Sequence, residues 1–259
     1  KGYSKLLTKE PFNFDNIPEA DHYIFAGAGV LSRVRSENLT GRKTILITDS
    51  HYLQFTEEYD KIIERENMEV FCMADLWKFC KHEKKMYIHP LVGIPKPQDK
   101  YPIYTICHSP YQKVFTNQKG SRQIEWATNS LKLSFQLDYI CITDKSWEET
   151  LEIKAKSHFF IDQLSTGNYY PQVNYQGGLG KSGLEGMLLK CLTFSSGDLK
   201  VKSDIPPPPY VMCNSESELF EQLYYYFEKG AKRRKLIEKQ YKWAKKYTDP
   251  KLVAKRILE

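Results

Sequence analysis

The sequence predicts an α/β protein built as two parallel-sheet halves, and three observations predict it. Short apolar or β-branched runs alternate with helical patterns from Asp21 to about Val92. The stretch IPKPQDKYPI, residues 94–103, then breaks the pattern with three prolines. The alternation restarts at IYTICHSP and continues almost to the end. Both halves are Rossmann-like, and the expected domains are 1–100 and 101–259, facing a cleft.

The segment to about Ala20 has no clear period. DHYIFAGAG is read as a strand ending at Gly27 and Gly29, with Arg33 and Arg35 just past the turn. KTILITDSHYL, 43–53, is a buried strand opening at its carboxyl end onto Asp49, Ser50 and His51, the end at which open α/β sheets bind ligands. TEEYDKIIEREN puts Tyr59, Ile62 and Ile63 on one helical face behind Thr56 as cap. MEVFCMADL returns as a strand, ADLWKFCKH reads as helical and KMYIHPLVGI as a strand.

In the second half, IYTICHSP is the first strand, and Gly120 to Leu133 is a helix with Ile124, Ala127 and Leu131 inward. YICITD is the next strand. Ser146 and Glu149 form a capping box for WEETLEIKAKS, and HFFIDQL is another strand. A glycine-rich turn with its helix follows, then LTFSSG, a proline run and the short strand YVMC. Ser215 and Glu218 make a second capping box, with Phe220, Leu223 and Phe227 on the buried face. Asp249 caps the last helix, with Pro250 at its first position.

Composition narrows the class. At 259 residues, 41% of them hydrophobic, the chain can bury one large core or two modest ones. No apolar run approaches the roughly 20 residues of a membrane span, and KGYSKLLTKEPFNF lacks the apolar centre of a signal peptide, so a cytoplasmic protein is expected. The six cysteines form no CxxC pair, and neither disulfides nor zinc is expected. The formal charge of +6 permits a polyanionic partner. KRRKLIEKQYKWAKK reads first as a solvated helix face, with Trp243, Tyr247 and Leu236 at inward spacing.

The chemistry concentrates in GGLGKSGLEGMLLKCLTFSSG, 177–197. Gly177, Gly178, Gly180 and Gly183 allow positive φ and close backbone approach, and the next helix offers its first N–H groups to an anion. Lys181 adds a point charge. Glu185, one turn inside, is disfavoured next to phosphate and is read as an acceptor for ribose hydroxyls, so the pair points to a nucleotide; the alternative is a glycine-rich loop with a solvated acid. His51 and His108 both stand at strand ends on the cleft side, and no histidine spacing suggests a metal site.

HSP, KG, IEWA, the strands around Asp138–Asp144 and HFFIDQL, SGLEGMLLKCLTFSSG and SESELFEQL together resemble the carboxyl domain of retaining GT-B glycosyltransferases of the glycogen-synthase-like group. ILITDSHYL, MADLW and YIHPLVGIP resemble the amino-terminal domain more weakly. The resemblance implies that Lys113, Lys119 and the loop Gly180, Lys181, Ser182, Gly183 and Leu184 hold a donor diphosphate, that Glu185 holds the ribose, and that no further cofactor is required. It also implies retention by front-face transfer, with a UDP-sugar as co-substrate. Asp49, His51 and His108 would then serve catalysis, and Gly27, Gly29, Arg33, Arg35 and Ser50 the acceptor.

Two departures stand out. The family often carries a glutamate eight positions before the ribose glutamate, and Gly177 occupies that place; the usual arginine before the lysine is replaced by Lys113 with one extra residue of spacing. A nucleotide-binding protein without turnover is therefore the competing class. A nicotinamide oxidoreductase using the Gly27–Gly29 turn is a third, and GAGVLS lacks the last glycine of that fingerprint. The small build, positive charge and cleft-side arginines, together with a likeness in scale to small phage DNA-modifying enzymes, favour 5-hydroxymethylcytosine in double-stranded DNA as acceptor, a saccharide being the alternative.

Overall fold

The structure, a computed structural model, describes residues 19–27, 39–48, 50–111, 119–164, 177–197 and 202–259, with nothing said of the side chains of Ser50, His51 and Tyr111. Contacts divide the chain into two units, one reaching Cys72 and including Phe79–Lys85, the other comprising Met73–Lys78 and everything from Met86. The proline-bearing stretch 94–103 lies inside the second unit.

The first unit is organised on a four-stranded sheet, β1 (His22–Ala26), β2 (Arg42–Ile47), β3 (Glu69–Cys72) and β4 (Lys84–Met86), in that order. β1–β2 and β2–β3 are parallel, as the alternation predicts. Ile45, Ile47, Val70, Phe71 and Cys72 are buried, the near-continuous apolar reading of a covered parallel sheet. Helix α1 (Thr56–Arg65) packs Tyr59 and Ile63 inward. Thr56 does not cap it: the cap position is Phe55, and the Thr56 hydroxyl bonds the Tyr52 carbonyl, because Ser50–Gln54 already winds as a 3-10 turn into the helix. ADLWKFCKH is a run of turns rather than a helix, and only the first residues of KMYIHPLVGI form a strand.

The second unit carries five parallel strands, β5 (Tyr104–Tyr111), β6 (Leu137–Thr143), β7 (Phe159–Ile161), β8 (Leu192–Ser195) and β9 (Val211–Met212), in the order β6-β5-β7-β8-β9. The order reverses between β5 and β7, so the carboxyl ends of these two strands form the switch point at which such sheets bind ligands. Alternate side chains go to opposite faces. Ile106, Phe159 and Ile161 join one cluster with Ile124 and Leu131 of α2 (Ser121–Leu131) and Leu219, Leu223 and Phe227 of α5 (Glu216–Glu228). Cys107 and Phe160 join another with Leu151 and Ala155 of α3 (Trp147–Lys156).

Leu184 and Met187 of α4 (Lys181–Leu188) pack with Trp243 and Ala244 of α6 (Gly230–Tyr247). Each fully buried Phe or Leu here contributes about 1.5–3 kcal/mol relative to exposure. The capping box on α3 is complete. On α5 only half of it forms: Ser215 accepts from the Glu218 N–H, while the Glu218 carboxylate accepts from Asn214 instead of Ser215. Phe220 is only partly buried, Leu219 taking its expected place. Asp249 and Pro250 start α7 (Pro250–Leu258) as the sequence predicts.

Candidate nucleotide site

The pocket lies wholly within the second unit, at the carboxyl ends of β5 and β6 and the amino ends of α3 and α4. Its volume is about 350 Å³, within the range of small-molecule sites, and Ser109, Pro110, Lys119, Trp147, Lys181 and Glu185 are among its lining residues. The β5 ladder slips between His108 and Tyr111. A bulge is the place a central strand tolerates a proline, and here it turns Ser109 and Pro110 out of the ladder to the pocket wall.

Glu185 is 4% exposed and both of its oxygens are occupied. The Trp147 indole donates to Oε1 at 3.0 Å, and Lys154 Nζ donates to Oε2 at 2.8 Å. Lys154 is fully buried, also donates to Ser182 Oγ at 2.6 Å, and lies 4.5 Å from the Phe160 ring centroid. A carboxylate oxygen has two lone pairs, so each can still accept a hydroxyl from the pocket side. Lys154 and Trp147 thus hold the Glu185 carboxylate in one orientation. Lys181 sits 5.9 Å from the Trp147 ring, and Lys145 and Lys119 bring further positive charge to the wall.

At the switch point, Asp162 directly follows β7 and is fully buried. Its Oδ2 accepts the N–H of Gly180, the cap position of α4, at 2.6 Å. Its Oδ1 has no hydrogen-bond partner among the described residues, Lys119 Nζ standing 3.8 Å away. Gly120 caps α2 with φ +70, and a Cβ there would stand 2.0 Å from the Leu164 carbonyl oxygen.

The glycines of the 177–186 stretch act differently from the expectation. Only Gly177 has positive φ. A Cβ on Gly178 would meet Asp75, one on Gly183 would meet Leu179, and one on Gly186 would meet Phe160, so these positions admit protein packing rather than a ligand. Leu184 likewise points into the core with Met187 and Trp243. Of the donor residues expected from the sequence, Lys119, Lys181, Ser182 and Glu185 line the pocket, while Gly180, Gly183 and Leu184 shape it from behind.

His108 is placed for support, not for contact with a substrate. It is fully buried; one ring nitrogen bonds the Ile161 carbonyl and the other bonds Ser121 Oγ, each at 2.8 Å, tying β5 to β7 and to the start of α2. Burial, with the positive charges of Lys119 and Lys154, pushes its pKa down to about 4, and His158 is likewise pushed down to about 4, chiefly by burial. A histidine kept neutral in the fold resists a proton that the unfolded chain binds near pH 6.5. Stability is therefore complete above pH 6.5 and falls as pH drops toward 4, by about 3 kcal/mol for His108 alone. Urea titrations across this range check it; His108→Gln should flatten the slope, and an unchanged slope would contradict the assignment.

Gly27 follows β1 with φ +86, its N–H bonded to the Leu46 carbonyl. Gly29, Arg33, Arg35, Asp49 and Lys113, and the side chains of Ser50 and His51, lie outside the described residues. Lys154, Trp147 and Asp162 were not singled out from the sequence. For Lys154 a signal existed, since it stands between Leu151 and Ala155 on the inward stripe of α3, where a lysine must find a buried partner. Among the described residues no group of three acidic, histidine or cysteine side chains could hold a metal, and no helix is long and apolar enough to cross a membrane.

No protein-family model matches this sequence, and no curated protein does. Solved structures do share the fold. The sucrose-phosphate synthase from Thermosynechococcus elongatus is similar at TM-score 0.54 and 11% identity, over 91% of this chain and 71% of that one. The GtfA/B complex is similar at TM-score 0.53 and 11% identity, over 92% of this chain and 56% of that one. At such identity the likeness shows the fold, and it is the α/β, GT-B-like class of two parallel sheets expected from the alternation.

Proposed function

We propose that the chain transfers a sugar from a nucleoside diphosphate sugar, with UDP as the favoured carrier, to an acceptor hydroxyl with retention at the anomeric carbon. The observation that carries this is the pocket at the amino end of α4. There Lys119 and Lys181 line the wall at which a diphosphate would be received, and Glu185 is held in place by Lys154 as an acceptor for ribose hydroxyls. The first turn of a helix presents N–H groups lacking intrahelical acceptors, and its partial positive charge adds to the lysines against a leaving diphosphate.

In this reading Lys119 and Lys181 neutralise the leaving group, a role the sequence resemblance extends to Lys113. Glu185 orients the ribose, Lys154 and Trp147 position Glu185, and His108 holds β5, β7 and α2 in register. In the front-face transfer, the leaving phosphate takes the acceptor proton as the sugar–phosphate bond breaks and the new glycosidic bond forms on the same face. Asp49 and His51 orient the acceptor hydroxyl, and Arg33, Arg35, Ser50 and the Gly27–Gly29 turn receive the rest of the acceptor. The favoured acceptor is 5-hydroxymethylcytosine in DNA, whose phosphates Arg33 and Arg35 would meet.

The test is transfer of radiolabelled sugar from a panel of nucleotide sugars to hydroxymethylated DNA, plain DNA and oligosaccharides. Label on the hydroxymethylated DNA alone, in a product of retained configuration, is expected; label on saccharides alone would move the acceptor, and an inverted product would end the retention reading. One observation favours a second reading, nucleotide binding without turnover: the place of the sugar-side glutamate is taken by Gly177, which has no side chain to offer. Slow donor hydrolysis without acceptor separates the two, since only a working site splits the sugar from its diphosphate.

A further inference from the structure

Helix α6 carries eight basic residues (Lys232, Arg233, Arg234, Lys235, Lys239, Lys242, Lys245 and Lys246) against one carboxylate, Glu238. Its excess of seven positive charges exceeds the net +6 of the chain, so the remainder is close to neutral and the positive field is concentrated on one element. Arg233 belongs to the fold: it bonds the Tyr226 carbonyl and the Tyr104 hydroxyl. Glu238 is already paired with Lys190 at 2.6 Å. What remains exposed is a stripe at helical spacing, Lys232, Lys235, Lys239 and Lys242, running for about 15 Å along the axis. None of these four forms an ion pair among the described residues.

Beside this stripe stand Tyr225 and Tyr226 at the end of α5. The two rings and the four lysines line one open groove of about 570 Å³ together with Leu236 and the Lys190-paired Glu238; Tyr225 is 41% exposed, and Tyr226 is partly buried against the core. The charge is also misplaced for the helix itself. No acidic residue occupies the first turn of α6, and cations crowd the end where the helix dipole is positive, an arrangement that an external anion relieves.

We propose that the groove between α5 and α6 binds a single nucleic-acid strand, phosphates along the lysine stripe and bases stacked on the tyrosines. A row of lysines next to an exposed aromatic ring, here Tyr225 with Tyr226 edge-on behind it, is the combination that tracks a flexible polyanion with stackable bases. A lipid surface fits less well, because it calls for exposed Trp, Phe or Leu on the helix, whereas Trp243 is buried and Leu236 packs against the core. The inference rests on the charge and exposure of these two helices and is independent of the sugar-transfer reading.

The test is fluorescence anisotropy of a labelled oligonucleotide of about 20 nucleotides at rising salt, beside the matching duplex and phosphatidylserine vesicles. Four phosphate contacts on a single strand give a log–log salt slope of about −3. The triple variant K235E/K239E/K242E should bind at least about tenfold more weakly at low salt, with its slope flattened to about −1 or shallower. Tyr225→Ala should weaken binding about fivefold or more with the slope unchanged, because stacking releases no counterions. Circular dichroism and nucleotide affinity at the other pocket should be the same in all variants, which keeps a folding defect or a failure of the sugar-transfer reading distinguishable. Binding by the triple variant equal to wild type, no retention of the oligonucleotide at low salt, a loss in the triple variant that is larger for the duplex than for the single strand, or binding of vesicles alone would each overturn the proposal.

Discussion

Lys154→Met is expected to destabilise the protein by about 3–5 kcal/mol, the cost of leaving one charge of a buried pair without its partner. The ammonium is fully buried and satisfies three oxygens, on Glu185 and twice on Ser182, so its removal strands a carboxylate that is 4% exposed. The double variant K154M/E185Q removes both charges, keeps the Trp147 hydrogen bond, and should recover most of the loss. Urea unfolding followed by tryptophan fluorescence measures both. A single variant costing under about 1 kcal/mol would show that the pair is solvated in solution.

Gly120→Ala is the second large effect. The residue holds φ +70 at the start of α2, which costs an alanine about 1–2 kcal/mol, and the new Cβ would stand 2.0 Å from a backbone oxygen that cannot rotate away. The overlap adds about 1–3 kcal/mol as the chain around Leu164 shifts, and the shift moves Lys119 and Ser121 with it. A loss of about 3 kcal/mol or more is expected, against about 0.5 kcal/mol or less for Gly230→Ala, whose Cβ would meet nothing closer than 3.6 Å. Equal effects at the two sites would contradict the geometry.

The parallel sheets were legible because their signal is local: runs such as KTILIT and IYTIC, spaced by amphipathic stretches, need no distant partner to be read. The caps at Ser146 and Asp249 were legible for the same reason. What failed depended on partners far along the chain. The spacing in ADLWKFCKH suits a helix, yet the segment is divided between the units, 74–78 in the second and 79–82 in the first, and settles as turns, with Asp75 filling the space above Gly178. Whether a glycine faces a ligand or a side chain is decided by Asp75 and Phe160, which lie outside the glycine-rich stretch, and by the way Leu179 within it folds back over Gly183. His108 shows the same limit: the strand is there but runs on to Tyr111, so His108 sits inside it rather than at its end, and its burial between Ile161 and Ser121 follows from β7 and α2 closing over it. Glu185 was found from its motif, while Lys154, its partner 31 residues earlier, was visible only as a lysine on an inward stripe.

Calorimetric titration of UDP and of uridine into wild type and Lys119→Ala tests the nucleotide pocket most directly. The account predicts that wild type binds UDP more tightly than uridine, and that Lys119→Ala weakens UDP by about tenfold or more, the worth of a charge-assisted contact, with uridine unaffected. No heat from any nucleoside diphosphate, or an equal penalty for UDP and uridine, would contradict it.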